Sequence, residues 1–294
     1  MVYNKKNESE KIKMEIIWKF ILFIFYSSLI VVISKYLLVP VLRKLAESLN
    51  LKPKTVGNIT GIATSVPELL TVSFAALTGL AGASIYNILS SNIINVIQFS
   101  TSVYLNKNQK LLKNRALNID LIMVLITIII PLLLLLLKIE TSITIVPIFI
   151  LLFLLFYFID VNAHKIYLNK KTSEEKKIEE EMKWIKGKKR IIIKYTIYLI
   201  LISILLYFSG NLLSNVLEVL AVNFKIPQII IGILLGFITS VPELITFFES
   251  QKHYKKKEDT EEGIIEATNN LLTSNILNLF VIQTIGIIIY NFIK

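Results

Sequence analysis

Two short strings in this sequence place a proline and a glutamate side by side within long apolar segments. They read ATSVPELLTV and ITSVPELITF, and their acidic residues are Glu68 and Glu243. Proline removes a backbone N–H and clashes with the carbonyl group four residues earlier, so Pro67 and Pro242 each predict a break in a helix. A carboxylate near the centre of a membrane costs about 2.5–3.5 kcal/mol on insertion scales, so the two acids indicate function rather than stability.

Each glutamate has oxygen-bearing companions at helical spacing. A threonine and a serine precede it by four and three residues, and the strings SNIIN and SNILN add a serine and an asparagine four residues apart. Because residues i and i+4 of a helix lie on one face, each half of the chain predicts a polar face on an apolar helix. The companions are Thr64, Ser65, Ser91 and Asn95 in the first half and Thr239, Ser240, Ser274 and Asn278 in the second.

These side chains define the chemistry of the predicted site. They offer carboxylate, hydroxyl and amide oxygens, together with backbone carbonyls loosened by the prolines, and they include no thiolate or imidazole. Such ligands suit Ca²⁺ or Na⁺ far better than zinc or copper. Two carboxylates balance one divalent ion, and the same oxygens could instead hold monovalent ions. We expect the ions to be substrates and expect no cofactor.

The composition indicates an all-α, polytopic membrane protein. Hydrophobic residues make up 54% of the chain, charged residues only 18%, and the mean hydropathy is +0.66. Apolar runs recur near the ~20 residues that a bilayer-spanning helix needs. The chain has no cysteine, and we attribute its net charge of +11 to loops facing the cytoplasm rather than to nucleic-acid binding. About eight spans are predicted, at roughly 15–48, 56–80, 83–104, 116–138, 142–163, 192–222, 227–250 and 263–291.

The two strings belong to an internal repeat. Residues 57–69 align with 232–244 at an offset of 175, and residues 87–95 align with 270–278 at an offset of 183. Three predicted spans separate the repeats, so the repeats enter the membrane from opposite sides, an inverted arrangement typical of secondary transporters. The predicted organisation is a membrane half at 1–163, a cytoplasmic linker at 164–191 and a second membrane half at 192–294.

The lysine and arginine residues predict the orientation of the chain. With the linker in the cytoplasm, alternating spans place 23 of them inside, 8 outside and one within a span. Cytoplasmic loops are enriched in these residues, so we expect the N-terminus to lie outside, with the protein in the cell membrane. Two alternatives apply to the linker, a solvated charged segment and an amphipathic helix resting on anionic lipid.

The paired motifs TSVPEL with SNIIN and TSVPEL with SNILN resemble the two alpha-repeats of the sodium/calcium exchanger family, in the cation/calcium antiporter superfamily. The resemblance covers about 55–105 and 227–285. It implies exchange of Ca²⁺ for Na⁺ by alternating access, with ion ligands at the glutamates and their eight companions and at backbone carbonyls near Gly61 and Gly236. The family pattern is five plus five helices, whereas this chain predicts five plus three. The oligomeric state stays open.

Two other functions are compatible with the sequence. A glutamate that carries a proton would make the protein a cation/proton exchanger. Departures from the family motif, such as Ala63 and Ile238 where relatives carry glycine, allow a degenerate subunit that does not transport. A membrane enzyme is not favoured, because no His-Glu-x-x-His or similar catalytic arrangement occurs.

Two further expectations concern residues beside the motifs. Glu266 opens the last predicted span, and we expect it at the membrane interface, with a place on the ion path as the alternative. The glycine pairs 57/61 and 232/236 have the spacing of helix-packing faces, and we expect them to let neighbouring helices approach closely.

Overall fold

The computed structural model describes residues 2–48, 53–167, 187–255 and 260–294, and every regular element among these residues is helical. The predicted all-α fold is confirmed. The first half contains α1 (Val2–Ile33), α2 (Val39–Ser48), α3 (Pro53–Thr64), α4 (Val66–Leu77), α5 (Ala81–Leu105), α6 (Arg115–Leu137) and α7 (Val146–Tyr167). The second half contains α8 (Gly187–Glu218), α9 (Gln228–Thr239), α10 (Val241–Lys255), α11 (Thr260–Ile276) and α12 (Gln283–Ile293).

Three π-helical turns interrupt or extend the longer helices. Ser34–Leu38 joins α1 to α2 in one helical run, Val219–Asn223 follows α8, and Leu277–Ile282 joins α11 to α12. The third turn contains Asn278, one of the candidate ligands. Most of the predicted linker, at 168–186, lies outside the described residues, as does the amphipathic helix considered there.

Seven stretches among the described residues are long and apolar enough to cross a membrane. The predicted span at roughly 83–104, which forms α5, is not among the seven, because its serines and asparagines lower its hydropathy. Its 25 residues still form a helix of about 37 Å, longer than the ~30 Å hydrocarbon core. The seven are Lys13–Leu42, Lys54–Leu77, Arg115–Leu137, Ile143–Asn162, Ile193–Asn223, Gln228–Lys255 and Thr260–Ile293.

Both proline motifs break their helices where the sequence predicts. Ser65 forms a turn between α3 and α4, and Ser240 forms the matching turn between α9 and α10. The two serines have nearly the same backbone angles, φ −81° and ψ −2° at Ser65 and φ −79° and ψ 0° at Ser240. Pro67 lies in the first turn of α4, where the missing N–H leaves no intrahelical hydrogen bond unmade.

The broken helix of each repeat packs on the second helix of the other repeat. A Cβ atom at Gly61 on α3 would lie 2.8 Å from the Asn270 carbonyl oxygen of α11, and one at Gly236 on α9 would lie 2.7 Å from the Asn87 carbonyl oxygen of α5. These glycines therefore bring the helix backbones into contact, which confirms the packing faces predicted from their spacing.

The contacts also fix the relative directions of the helices. Along α3, Gly57 meets Glu266 and Gly61 meets Asn270, so α3 and α11 run parallel. Along α10, Glu243 bonds to Ser274 and Thr246 bonds to Asn270, so α10 and α11 run antiparallel. Two apolar clusters surround this polar interior, one joining α1, α8 and α9 and the other joining α5, α6, α7 and α11.

Candidate functional site

All ten candidate side chains are buried in the interior of the helix bundle. Their exposed fractions are 2% for Ser65 and 0% for every other member. Gly61 and Gly236 are buried as well. The set is Thr64, Ser65, Glu68, Ser91, Asn95, Thr239, Ser240, Glu243, Ser274 and Asn278.

One group of contacts centres on Ser274 of α11. Its hydroxyl donates to Glu243 Oε1 at 3.0 Å and accepts from the Ser65 hydroxyl at 3.0 Å. The Asn95 Nδ2 atom also donates to it, at 3.4 Å. Thr64 interacts with the Glu243 carboxylate from the facing turn. Residues from both repeats therefore meet at Glu243.

The mirror group centres on Ser91 of α5. Its hydroxyl lies 3.4 Å from the Thr239 hydroxyl and donates to the Gly236 carbonyl oxygen at 3.4 Å. Both hydroxyls lie near the Glu68 carboxylate without making a hydrogen bond to it, and Glu68 is close enough to Glu243 for the two carboxylates to interact electrostatically. The two glutamates thus lie near one another at the interface between the repeats.

Several acceptor oxygens in this interior have no hydrogen-bond donor among the described residues. They are both oxygens of the Glu68 carboxylate, Glu243 Oε2, Asn95 Oδ1 and Asn278 Oδ1. The Ser240 hydroxyl is also buried without a partner in the described part of the chain. A buried polar group without a partner costs free energy, so this cluster of acceptors matches a bound cation better than an empty interior.

The two predicted backbone ligands already accept hydrogen bonds. Gly61 O accepts from the backbone N–H of Ser65, and the hydroxyls of Ser65 and Thr64 lie within hydrogen-bonding distance of it, at 2.9 and 3.2 Å. Gly236 O accepts from the backbone N–H of Ser240 and from the Ser91 hydroxyl. Each carbonyl therefore orients the hydroxyl groups around it, and its role as an ion ligand stays a prediction.

Four residues that support the glutamates were not singled out from the sequence. Asn87 Nδ2 donates to Thr71 Oγ1 at 2.7 Å, and Asn270 Nδ2 donates to Thr246 Oγ1 at the same distance. Thr71 and Thr246 in turn donate to the carbonyl oxygens of Glu68 and Glu243. The signal was present, because both asparagines and both threonines repeat at the offsets of the motifs.

A second pair that was missed is Asn92 and Asn275, which join α5 to α11. Asn92 Nδ2 donates to the Asn275 carbonyl oxygen at 3.3 Å, and Asn275 Nδ2 donates to the Asn92 carbonyl oxygen at 3.2 Å. These residues also repeat at the same offset within SNIIN and SNILN. Their meaning depends on the pairing of α5 with α11, which one helix alone does not reveal.

Glu266 is buried within the protein. It is 1% exposed, and its expected depth in the membrane, at the interface or on the ion path, stays a prediction. Its carboxylate accepts a hydrogen bond of 2.5 Å from the Ser250 hydroxyl of α10. The packing of α10 against α11 buries this side chain.

The site contains two carboxylates rather than a dense acidic cluster. Among the described residues, no three His, Cys, Asp or Glu side chains gather in a group that could hold a metal ion. The other oxygens at the site come from hydroxyls and amides. This donor set gives a net charge of −2 at most, and most of its oxygens are neutral.

Membrane-spanning helices that bury two acids beside broken helices define a class of proteins, the helical ion transporters. A family model described as Sodium/calcium exchanger protein matches residues 18–161 and 194–294, one region in each half of the chain. The chain belongs to this family, and the resemblance seen in the paired motifs is confirmed. The curated proteins and the solved structures gave no match.

Membership in this family settles the broad function. The chain is a multi-pass integral membrane protein of a family that exchanges cations including Ca²⁺. The family is one of transporters rather than enzymes.

Proposed function

We propose that this protein exchanges Ca²⁺ for Na⁺ across the membrane by alternating access, at a single site between the two repeats. The observation that carries the proposal is the set of buried acceptor oxygens without donors on Glu68, Glu243, Asn95 and Asn278. Ca²⁺ takes six to eight oxygen ligands in proteins, and carboxylate and amide oxygens are typical members of that set. The two carboxylates would balance the charge of one dehydrated Ca²⁺.

If Na⁺ and Ca²⁺ share the same ligands, the protein exchanges the two ions rather than transporting one of them alone. Na⁺ and Ca²⁺ would compete for the same carboxylates, so each ion displaces the other. A site without ions leaves two carboxylates facing each other in the protein interior, which is costly. The protein therefore resists switching its empty site from one side of the membrane to the other. Movement of one ion is thus tied to movement of the other.

The directions of the helices support inverted repeats. Because α3 runs parallel to α11, and α11 runs antiparallel to α10, the broken helices of the two repeats point in opposite directions. A pair of inverted repeats has two related conformations open to opposite sides of the membrane. The distribution of lysine and arginine supports an orientation in which the N-terminus lies on the outer side of the cell membrane.

Ion flux in proteoliposomes tests the proposal. Vesicles loaded with Na⁺ and diluted into Na⁺-free buffer should accumulate labelled Ca²⁺, and vesicles without a Na⁺ gradient should not. A proton gradient imposed at equal Na⁺ should have no effect. Uptake driven by the proton gradient alone would instead select cation/proton exchange.

A second measurement separates a poor exchanger from a protein that does not transport. Purified protein should bind labelled Ca²⁺ saturably, and Na⁺ should compete with that binding. Absence of saturable Ca²⁺ binding would contradict the proposal and favour a subunit without transport activity.

A further inference from the structure

The reciprocal hydrogen bonds of Asn92 and Asn275 join α5 to α11 and also fix the orientation of the two amide groups. The Nδ2 atom of each asparagine donates to the main-chain carbonyl of the other, and Asn92 Nδ2 also donates to the Thr127 carbonyl oxygen at 3.4 Å. A carbonyl oxygen can only accept. The Nδ2 atom of each amide must therefore point at the main chain of the other asparagine, and the Oδ1 atom of the same amide must point away from that main chain.

The two Oδ1 atoms then accept hydrogen bonds from the candidate ion ligands. Asn278 Nδ2 donates to Asn92 Oδ1 at 3.1 Å, and Asn95 Nδ2 donates to Asn275 Oδ1 at 3.1 Å. Because these two Oδ1 atoms can only accept, the amides of Asn278 and Asn95 are held with their nitrogens toward Asn92 and Asn275, and the second N–H of Asn95 reaches the Ser274 hydroxyl. Their own Oδ1 atoms are left in the interior without a donor among the described residues.

We infer that Asn92 and Asn275 are positioning residues that present the amide oxygens of Asn278 and Asn95 to the transported cation. The inference rests on the proposed function and assigns each positioning residue to one ligand, Asn92 to Asn278 and Asn275 to Asn95. A reversed amide would turn its NH₂ group toward the cation, and a cation repels that group. All four side chains are 0% exposed, so water does not compete for these hydrogen bonds.

A double-mutant cycle tests this assignment, with the dissociation constant of labelled Ca²⁺ on purified protein as the readout. Asn92→Ala should weaken Ca²⁺ binding roughly 10–100-fold, as loss of a residue that orients a metal ligand commonly does. In an Asn278→Asp background the same substitution should not weaken Ca²⁺ binding, because the two oxygens of a carboxylate are equivalent and Asn92 Oδ1 no longer has a donor to hold.

The mirror position supplies the matched control. In an Asn95→Asp background, Asn92→Ala should keep its full effect, because Asn92 orients Asn278 and not Asn95. Asn275→Ala should show the reverse pattern, losing its effect only in the Asn95→Asp background. If Asn92 and Asn275 only hold α5 against α11, each substitution would give equal losses in both backgrounds, and that result would overturn the inference.

Two precautions keep the test decisive. If Asn92→Ala does not fold, Asn92→Ser takes its place with the same expected result. The Asn275→Ala variants in the two aspartate backgrounds then test the mirror assignment. Binding by the unsubstituted protein separates the two levels of the proposal. Absence of saturable Ca²⁺ binding by the unsubstituted protein would refute the proposed function. Saturable binding by that protein, with the same dissociation constant for Asn92→Ala, would refute only the positioning role.

Discussion

Na⁺-loaded proteoliposomes that contain Glu243→Gln are expected to take up no labelled Ca²⁺ beyond the level of protein-free vesicles. Glu68→Gln should behave in the same way. Glutamine keeps the shape of the side chain and an oxygen but removes the negative charge. One remaining carboxylate leaves a dehydrated Ca²⁺ with an unbalanced positive charge in the protein interior, where charge is expensive.

Glu249→Gln is the matched control for this prediction. Glu249 lies on α10, as Glu243 does, but its side chain is exposed. The same chemical change there should leave Na⁺-driven uptake close to that of the unsubstituted protein. Substantial uptake by either Glu68→Gln or Glu243→Gln would show that the charge of that glutamate is not needed.

Thermal unfolding gives these variants a readout that does not depend on transport. A ligand present at 100 times its Kd stabilises the folded protein by about 2.7 kcal/mol, so Ca²⁺ should raise the Tm of the unsubstituted protein. Neither glutamine variant should show a Ca²⁺-dependent rise. The Glu249→Gln variant should respond to Ca²⁺ as the unsubstituted protein does.

A second large effect is expected at the glycines between the repeats. Gly61→Ala should lower the Tm, because the added Cβ would lie 2.8 Å from the Asn270 carbonyl oxygen and 2.9 Å from Thr273 Cβ. Over-packing of this kind costs about 1–3 kcal/mol, and each kcal/mol lowers the Tm of a domain of 150–250 residues by about 2–4 °C. Ca²⁺ uptake should fall too, because Ser65, which follows α3 directly, makes a contact with Ser274 that depends on the position of α3.

Gly82→Ala provides the comparison for the glycine variant. The atom nearest to a Cβ at this position is Gln228 Oε1, the end of a flexible side chain, which can move aside. Its Tm should fall less than that of Gly61→Ala when both are measured in the same detergent. Equal Tm values for Gly61→Ala and the unsubstituted protein would contradict the close approach of α3 to α11.

The sequence predicts the local features of this protein well. A proline acts on its own helix, so the breaks at Ser65 and Ser240 follow from Pro67 and Pro242 alone. The spacing of threonine and glutamate likewise depends on one helix. The predicted candidates are all buried, and contacts join most of them across the repeats.

Features that depend on pairing between helices were harder to predict. Helical periodicity shows that Asn92 lies on a polar stretch but not that Asn275 faces it. The position of Glu266 early in the last span does not show that it is buried, and only the packing of Ser250 against it does. The π-helical turn at Leu277–Ile282 has no evident signal in the sequence.

The exchange of partners between the repeats has a consequence for biosynthesis. Ser65 and Ser274 lie 209 residues apart, so α3 enters the membrane long before the ribosome has made α11. Meanwhile, the hydroxyls of Thr60 and Ser65 can bond to carbonyls of their own helix, at Val56 and Gly61. Glu68 has no such partner, because a carboxylate cannot donate to a carbonyl. Of the two hydroxyls near Glu68, that of Ser91 is made soon afterwards with α5, whereas that of Thr239 is made only with α9. The surroundings of this acid are therefore incomplete until the second repeat enters the membrane.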